Sequence, residues 1–325
     1  MKKSSTPLLP FVLLVFLVSC EEDITDQFAH SENQFVISGR VVAGQSPLIN
    51  LTRGSSIIAA DTLLYLNNAQ MELRRGNDLY QLAPKGRGFY GNAEFLPASG
   101  ETLVLTCSGE GLTDAGVVLE IPAAPSVHDL DFQVDENLAF TLEITLDDPA
   151  GSDDFYGFFL SGWRRQTVRT IDQETGIERT DTSQIYLKYG ISLQDPIIKY
   201  TGGPRGFSSY DPTSWNSGPF YFSDMEIDGS SHRLMARGNL NQLYNDTIPE
   251  LHVTLLKHDV HFFRFLESFM HYDPMPDQDF LQKVQVYSNI EGGFGLVTAE
   301  APWRDTIDLS PWFSDPDFQE GLNDR

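Results

Sequence analysis

The sequence predicts a mainly β protein built from two units, with a single helix near the C-terminal end. Three observations predict it. Short runs of alternating apolar and polar residues recur along the chain, punctuated by Gly, Asn and Asp. Pro122-Ala123-Ala124-Pro125 divides those runs into two groups, because proline breaks regular structure and favours an extended linker. One stretch alone, near 259–272, shows helical spacing.

The first unit spans 34–122. Phe35-Val36-Ile37-Ser38-Gly39-Arg40-Val41-Val42 reads as a strand, with Leu48 to Thr52 as a plausible partner. Ala69 to Arg75, Thr102 to Cys107 and Val117 to Ile121 follow. Short strands at this spacing argue a β-sandwich of the immunoglobulin or transthyretin type. The second unit, 128–312, is larger and also β-rich. Phe140 to Leu146 alternates cleanly, and Ile185, Leu187 and Tyr189 repeat the pattern, as do Leu251, Val253 and Leu255 and then Val284 and Val286. In the helix, Val260, Phe263, Leu266 and Met270 form one apolar stripe and Phe262, Phe265, Phe269 and Tyr272 a second. A helix apolar around so much of its circumference is expected to be buried. Asp259 complements its first turn and Pro274 ends it. Residues 313–325 read as a C-terminal tail.

The first two dozen residues carry an address. Lys2 and Lys3 precede an apolar run from Leu8 to Val18, too short for the roughly 20 residues that cross a bilayer. This is the pattern of a secretory signal over 1–19. It closes on Leu17-Val18-Ser19-Cys20, which resembles the bacterial lipobox, and so implies lipidation of Cys20 and attachment to a membrane through its acyl chains. Glu21, Glu22 and Asp23 resemble the export signal of Bacteroidota surface lipoproteins, which implies an outer-membrane location facing the medium. Residues 20–33 are polar and read as a flexible tether.

Composition narrows the partners. The 325 residues carry a net charge of −24, and loss of Lys2 and Lys3 with the signal makes it −26. Such a surface is repelled by phosphate backbones, so nucleic acid is excluded as a partner. With Cys20 lipidated, Cys107 is the one remaining thiol, and its alternating surroundings predict a small buried hydrophobe.

Chemistry-bearing motifs are scarce. No nucleophile elbow of the GxSxG type and no P-loop occurs, so no catalytic residue is assigned and no enzyme is called for. Glycosidase carboxylate pairs have no fixed sequence spacing, and the sequence is silent on them. His258 and His261 lie three apart, with His271 further on, but Asp259 points to another face and no metal or cofactor is assigned. Acidic runs at Asp147-Asp148, Asp153-Asp154 and Asp273 through Asp277 to Asp279 have calcium-like composition without a calcium-loop pattern. Asp61-Thr62-Leu63, Asp246-Thr247-Ile248 and Asp305-Thr306-Ile307 resemble the Asp-Thr-aliphatic acceptor of Bacteroidota O-glycosylation, which marks Thr62, Thr247 and Thr306. Between 200 and 232 lies a Gly-, Pro- and aromatic-rich insertion. Its Tyr210, Trp215, Phe220 and Tyr221, with Trp163, are the candidate surface for a ligand or partner.

Thr102-Leu103-Val104-Leu105-Thr106 after Gly100, the proline linker, the helix and Tyr287-Ser288-Asn289-Ile290-Glu291-Gly292-Gly293-Phe294-Gly295 follow in an order that resembles a known family. It is the Bacteroidota lipoprotein family catalogued as domain of unknown function 4249, and the resemblance covers nearly all of the chain after the signal. It implies an accessory of a TonB-dependent outer-membrane transporter, and brings no catalytic residues with it. An adhesive or structural surface lipoprotein without a small-molecule ligand is the alternative. In the signature itself, Asn289, Gly292, Gly293 and Gly295 predict a tight corner near the core, with close approach of a ligand to bare backbone as the second reading.

Overall fold

The computed structural model describes residues 34–54, 64–109, 111–171, 178–203, 206–209, 218–240, 249–270 and 286–313. Among them the chain is mainly β, as its alternation predicts. The first unit contains β1 (Phe35–Val42), β2 (Leu48–Arg53), β3 (Leu64–Tyr65), β4 (Gln70–Arg75), β5 (Asp78–Gly86), β6 (Phe89–Gly91), β7 (Thr102–Ser108) and β8 (Ala115–Glu120). After the proline linker come β9 (Ser126–Val134), β10 (Ala139–Asp147), β11 (Phe155–Ile171), β12 (Glu178–Lys188), β13 (Ser192–Leu193), β14 (Tyr200–Gly203), β15 (Gly206–Ser209), β16 (Phe220–Ser223), β17 (Ser231–Asn239) and β18 (Glu250–His258). Helix α1 (Val260–Met270), β19 (Phe294–Asp308) and the short α2 (Ser310–Phe313) complete the order.

The alternation of each strand decides which side chains enter a core. In the first unit Phe35 and Ile37 of β1, Ile49 and Leu51 of β2, Met71 and Leu73 of β4 and Leu103, Leu105 and Cys107 of β7 are buried in one cluster. Burying a side chain such as Phe35 stabilises by about 2–3 kcal/mol, so a few of these exceed the net stability of a domain. The second unit is a sandwich. Phe140, Leu142, Ile144 and Leu146 of β10 share a core with Tyr156, Phe158 and Leu160 of β11 and Leu251, Val253 and Leu255 of β18. One layer runs β13-β17-β10-β9, and the other belongs to a long sheet that includes β14-β16-β11-β18-β19.

That long sheet continues into the first unit through β19. Phe294 to Glu300 pair in parallel with β1, and Glu300 to Asp308 pair antiparallel with β18. Val297 and Ala299 lie in the first core, while Trp303 and Ile307 pack against the second. The C-terminal strand thus returns to the N-terminal unit and closes it.

Two further features position functional groups. Helix α1 lies on the face of the sheet away from the sandwich core, where Phe263 and Leu266 are buried with Tyr221. Its other aromatics are half-buried and Val260 is exposed, so the expected buried helix is a surface helix sunk along one stripe. The second feature is a ribbon. Residues Phe155 to Ser161 of β11 pair with β18, whereas Ser161 to Ile171 pair with β12, and among the described residues 162–171 have no other strand beside them.

Candidate functional site

The signature segment is spent on architecture. Asn289 donates from Nδ2 to the Val297 carbonyl at 2.6 Å and accepts the Val297 N–H on Oδ1 at 3.1 Å, so one side chain replaces a strand partner. Glu291 and Gly116 exchange both backbone hydrogen bonds, tying the turn to β8. Gly295 has φ +114°, and a Cβ there would stand 2.0 Å from the Ile37 carbonyl oxygen. Gly292, at φ +72°, would meet the Asp114 carbonyl at 2.2 Å. Gly293 would place its Cβ 2.6 Å from the Phe35 carbonyl. These glycines let three backbones approach, which is the corner the sequence predicts; the residues before it, Val286 to Ile290, are not strand, and Val284 lies outside the described residues.

At the far end of the second sandwich, carboxylates converge. Asp148, Asp224 and Asp228 place oxygen atoms within 4.8 Å of one another. Each is held by neighbours. Tyr156 donates its hydroxyl to Asp148 at 2.6 Å, the Asp154 N–H reaches Asp224 at 2.8 Å, and the Gly151 N–H reaches Asp228 at 2.8 Å. Lys257 pairs with Asp154, and is the cation of this group. Burial, and then the neighbouring acids, push the carboxyls of Asp148 and Asp224 above the ordinary range. Three oxygen donors of this kind suit a hard cation such as calcium, with no geometry beyond the carboxylates themselves to select one. Of the acidic runs marked in the sequence, Asp148 and Asp154 belong here, and Asp147 instead pairs with His128 at 3.1 Å. Asp273 to Asp279 lie outside the described residues.

Beside this cluster opens a cleft of about 600 Å³, within the range of small-molecule sites. One wall is the loop at Gly151 to Asp153 with Asp224, Met225 and Asp228; the other is α1, through Val260, Phe263, Arg264 and Glu267. Phe155 and Lys199 lie between them. The rings of Phe155 and Phe263 stack at 4.4 Å, and the Lys199 ammonium reaches Ser223 Oγ at 3.0 Å. Of these residues the sequence marks Asp153, within the acidic pair Asp153-Asp154; the cleft itself is not legible there, because loop, turn and helix meet only in the fold.

Behind α1 lies a different set of charges, in which His258 Nε2 is buried without a hydrogen-bond partner. Glu300 is 3.2 Å from Arg40 Nε and 3.3 Å from His258 Nδ1, and the His258 ring stacks on Phe262 at 4.2 Å. Burial works to raise the Glu300 carboxyl, but His258 and Arg40 hold it below the usual range. His261 turns to the Tyr287 hydroxyl at 2.6 Å, and Asp259 caps α1 by accepting the Phe262 N–H while also accepting the Ala299 N–H. The two histidines therefore approach separate partners, Glu300 and Tyr287, while His271 lies outside the described residues.

The aromatic candidates separate as well. Phe220 is 1% exposed within the sandwich core, and Tyr221 is 6% exposed beneath α1, so neither offers a surface. All four residues of β16 are buried, which makes Phe220-Tyr221-Phe222 a central strand and not part of a binding insertion. Trp163 is exposed at the root of the ribbon, paired across the strands with exposed Tyr186, ring centroids 5.0 Å apart. Tyr210 and Trp215 lie outside the described residues, as do Cys20, Glu21, Glu22, Asp23, Thr62 and Thr247. Thr306 is exposed on β19, with its hydroxyl 3.1 Å from His252 Nδ1. Cys107 is buried and its thiol is pushed up to about 12 by burial and by Asp114, the environment of an inert side chain. Gly86, Gly88 and Gly91 fall at GxGxxG spacing, but they form the β5–β6 hairpin with no helix after it, so the phosphate-binding arrangement is missing there.

The molecule is thus mainly β, with its two cores joined through the shared strand β19 and a cleft beside a surface helix. Residues 21–302 match the family described as Domain of unknown function (DUF4249), and the chain belongs to it. No curated protein matches. Among solved structures, the chitinase ChiA74 of Bacillus thuringiensis is similar at 8% identity and a TM-score of 0.16, over 61% of this chain and 25% of that one. An alpha-2-macroglobulin of Salmonella is similar at 12% identity and a TM-score of 0.21, over 74% of this chain and 15% of that one. The chain therefore spans a quarter or less of the length of these proteins, and neither likeness carries an argument about function.

Proposed function

We propose that the protein is a lipid-anchored outer-membrane protein, facing the medium, that serves as an accessory or ligand-capture subunit of a TonB-dependent nutrient transporter. The observation that carries the capture role is the cleft of about 600 Å³, whose charged groups sit on two facing walls. The anchoring rests on Leu17-Val18-Ser19-Cys20 and the acidic residues after it. The transporter link rests on the family, since the resemblance implies accessories of such transporters. In this reading the lipid fixes the location and the β body holds the cleft near the channel.

A second reading is favoured by one observation. The β11–β12 ribbon with its exposed Trp163–Tyr186 pair is the kind of projecting element that an adhesive or structural surface protein uses. Deleting the protein separates the two, because the capture reading expects a growth defect on some nutrient and the adhesive reading expects only loss of attachment.

The anchoring is tested by growing cells with a fatty-acid label. Incorporation that disappears in Cys20→Ser, with release from the membrane fraction, is expected; equal labelling of both proteins removes the lipoprotein assignment. The transporter link is tested by co-purification from outer membranes.

A further inference from the structure

We infer that the cleft beneath α1 binds a ligand with an ammonium group at one end, a carboxylate at the other and an apolar body between them, as in a short peptide with free termini. The inference rests on the capture reading and names the chemistry of its ligand.

The lining of the cleft is divided by charge. Asp224 and Asp228 stand on one wall, and Arg264 stands on the helix that forms the other. Arg264 is exposed, and among the described residues it makes no ion pair. Its guanidinium is a planar fork suited to a carboxylate. The opposite wall has a surplus of negative charge, since Lys257 is committed to Asp154 while Asp148, Asp224 and Asp228 crowd together. A ligand ammonium there removes that crowding and gains charge-assisted hydrogen bonds.

Between the two ends lie the rings of Phe155 and Phe263, with Lys199 beside them and its ammonium taken by Ser223 Oγ. Phe155 and Phe263 present a stacked pair, and Phe263 is buried while its edge still lines the cleft. A hydrocarbon side chain laid on this pair is removed from water, whereas a sugar would leave Arg264 and the carboxylates without charged partners. Glu267, on the same helix as Arg264, adds a negative charge to that wall and disfavours a second carboxylate on the ligand. The cleft volume exceeds that of one amino acid and accommodates two or three residues.

The test uses full-length protein in detergent and isothermal titration with Leu-Leu, N-acetyl-Leu-Leu and Leu-Leu amide. Saturable binding of Leu-Leu that weakens by about tenfold when either end is blocked is the expected result. Arg264→Ala should weaken Leu-Leu by a similar factor and leave the amide unchanged. Asp228→Asn, at an exposed position, should weaken Leu-Leu and leave the acetylated form unchanged. Equal binding of all three compounds, or no saturable heat with any, overturns the inference. Co-purification of a transporter in that event leaves the capture reading standing, so the two failures are distinguishable.

Discussion

The clasp at Tyr287 to Gly295 and the cleft under α1 are both built from polar and glycine-rich segments, and they use them in opposite ways. In the clasp both polar atoms of the Asn289 side chain have backbone partners, and Gly292, Gly293 and Gly295 each fill a space that no side chain fits. At the cleft, carboxylates crowd one another beside a lysine committed to Asp154, Lys199 is bonded to Ser223, and the exposed Arg264 makes no ion pair among the described residues. Polar groups with completed partners belong to the fold, and those held ready without partners are available to a ligand. The contrast teaches where to look for function: in the groups whose environment would be improved by something absent.

The largest expected effect that tests this contrast is in the clasp. Gly295→Ala forces a Cβ against the Ile37 carbonyl at positive φ, and is expected to cost more than about 3 kcal/mol in urea unfolding. Asn289→Ala leaves the Val297 N–H and carbonyl without their side-chain partners, and is expected to cost about 2 kcal/mol by the same measurement. At the cleft the sign reverses. Asp224→Asn keeps an oxygen for the Asp154 N–H and removes one of the crowded charges, so a gain of about 1 kcal/mol at pH 7 is expected.

The pH dependence sharpens this. Asp224 has a folded-state carboxyl above the ordinary range, so its ionisation opposes folding, and the penalty disappears as the pH falls through that raised value. The advantage of Asp224→Asn over the native chain should therefore shrink on acidification. Glu300 has the opposite sign. Its depressed carboxyl adds stability above the ordinary carboxylate range that is lost as the pH falls through the folded-state value. Equal pH profiles for Asp224→Asn and the native chain would break the comparison. The smallest effect is at the ribbon, where Trp163→Ala should change stability by no more than about 0.5 kcal/mol, measured by thermal unfolding, because the ring is exposed.

Much of the fold was legible because local pattern decided it. Phe140 to Leu146 alternates and is a strand with its apolar face in the core, and the periodic stretch near 259–272 is a helix over Val260–Met270. The clasp was legible as a tight corner, because glycine and asparagine carry that information locally. What it closes was not, since Phe294 to Glu300 pair with a strand near the start of the chain. Phe220 and Tyr221 look like part of an aromatic surface in the sequence because Gly- and Pro-rich neighbours mask a four-residue strand buried on both faces. The cleft was hidden for the same reason as the closure: Asp154 and Asp224 meet across 70 residues of sequence, and only pairing in space assembles them.

The proposed partnership with a transporter is addressed directly by one measurement. Epitope-tagged protein is withdrawn from mildly solubilised outer membranes, and whatever accompanies it is identified by mass spectrometry. A stoichiometric TonB-dependent barrel is expected. The protein emerging alone would contradict it and move the weight to the adhesive reading.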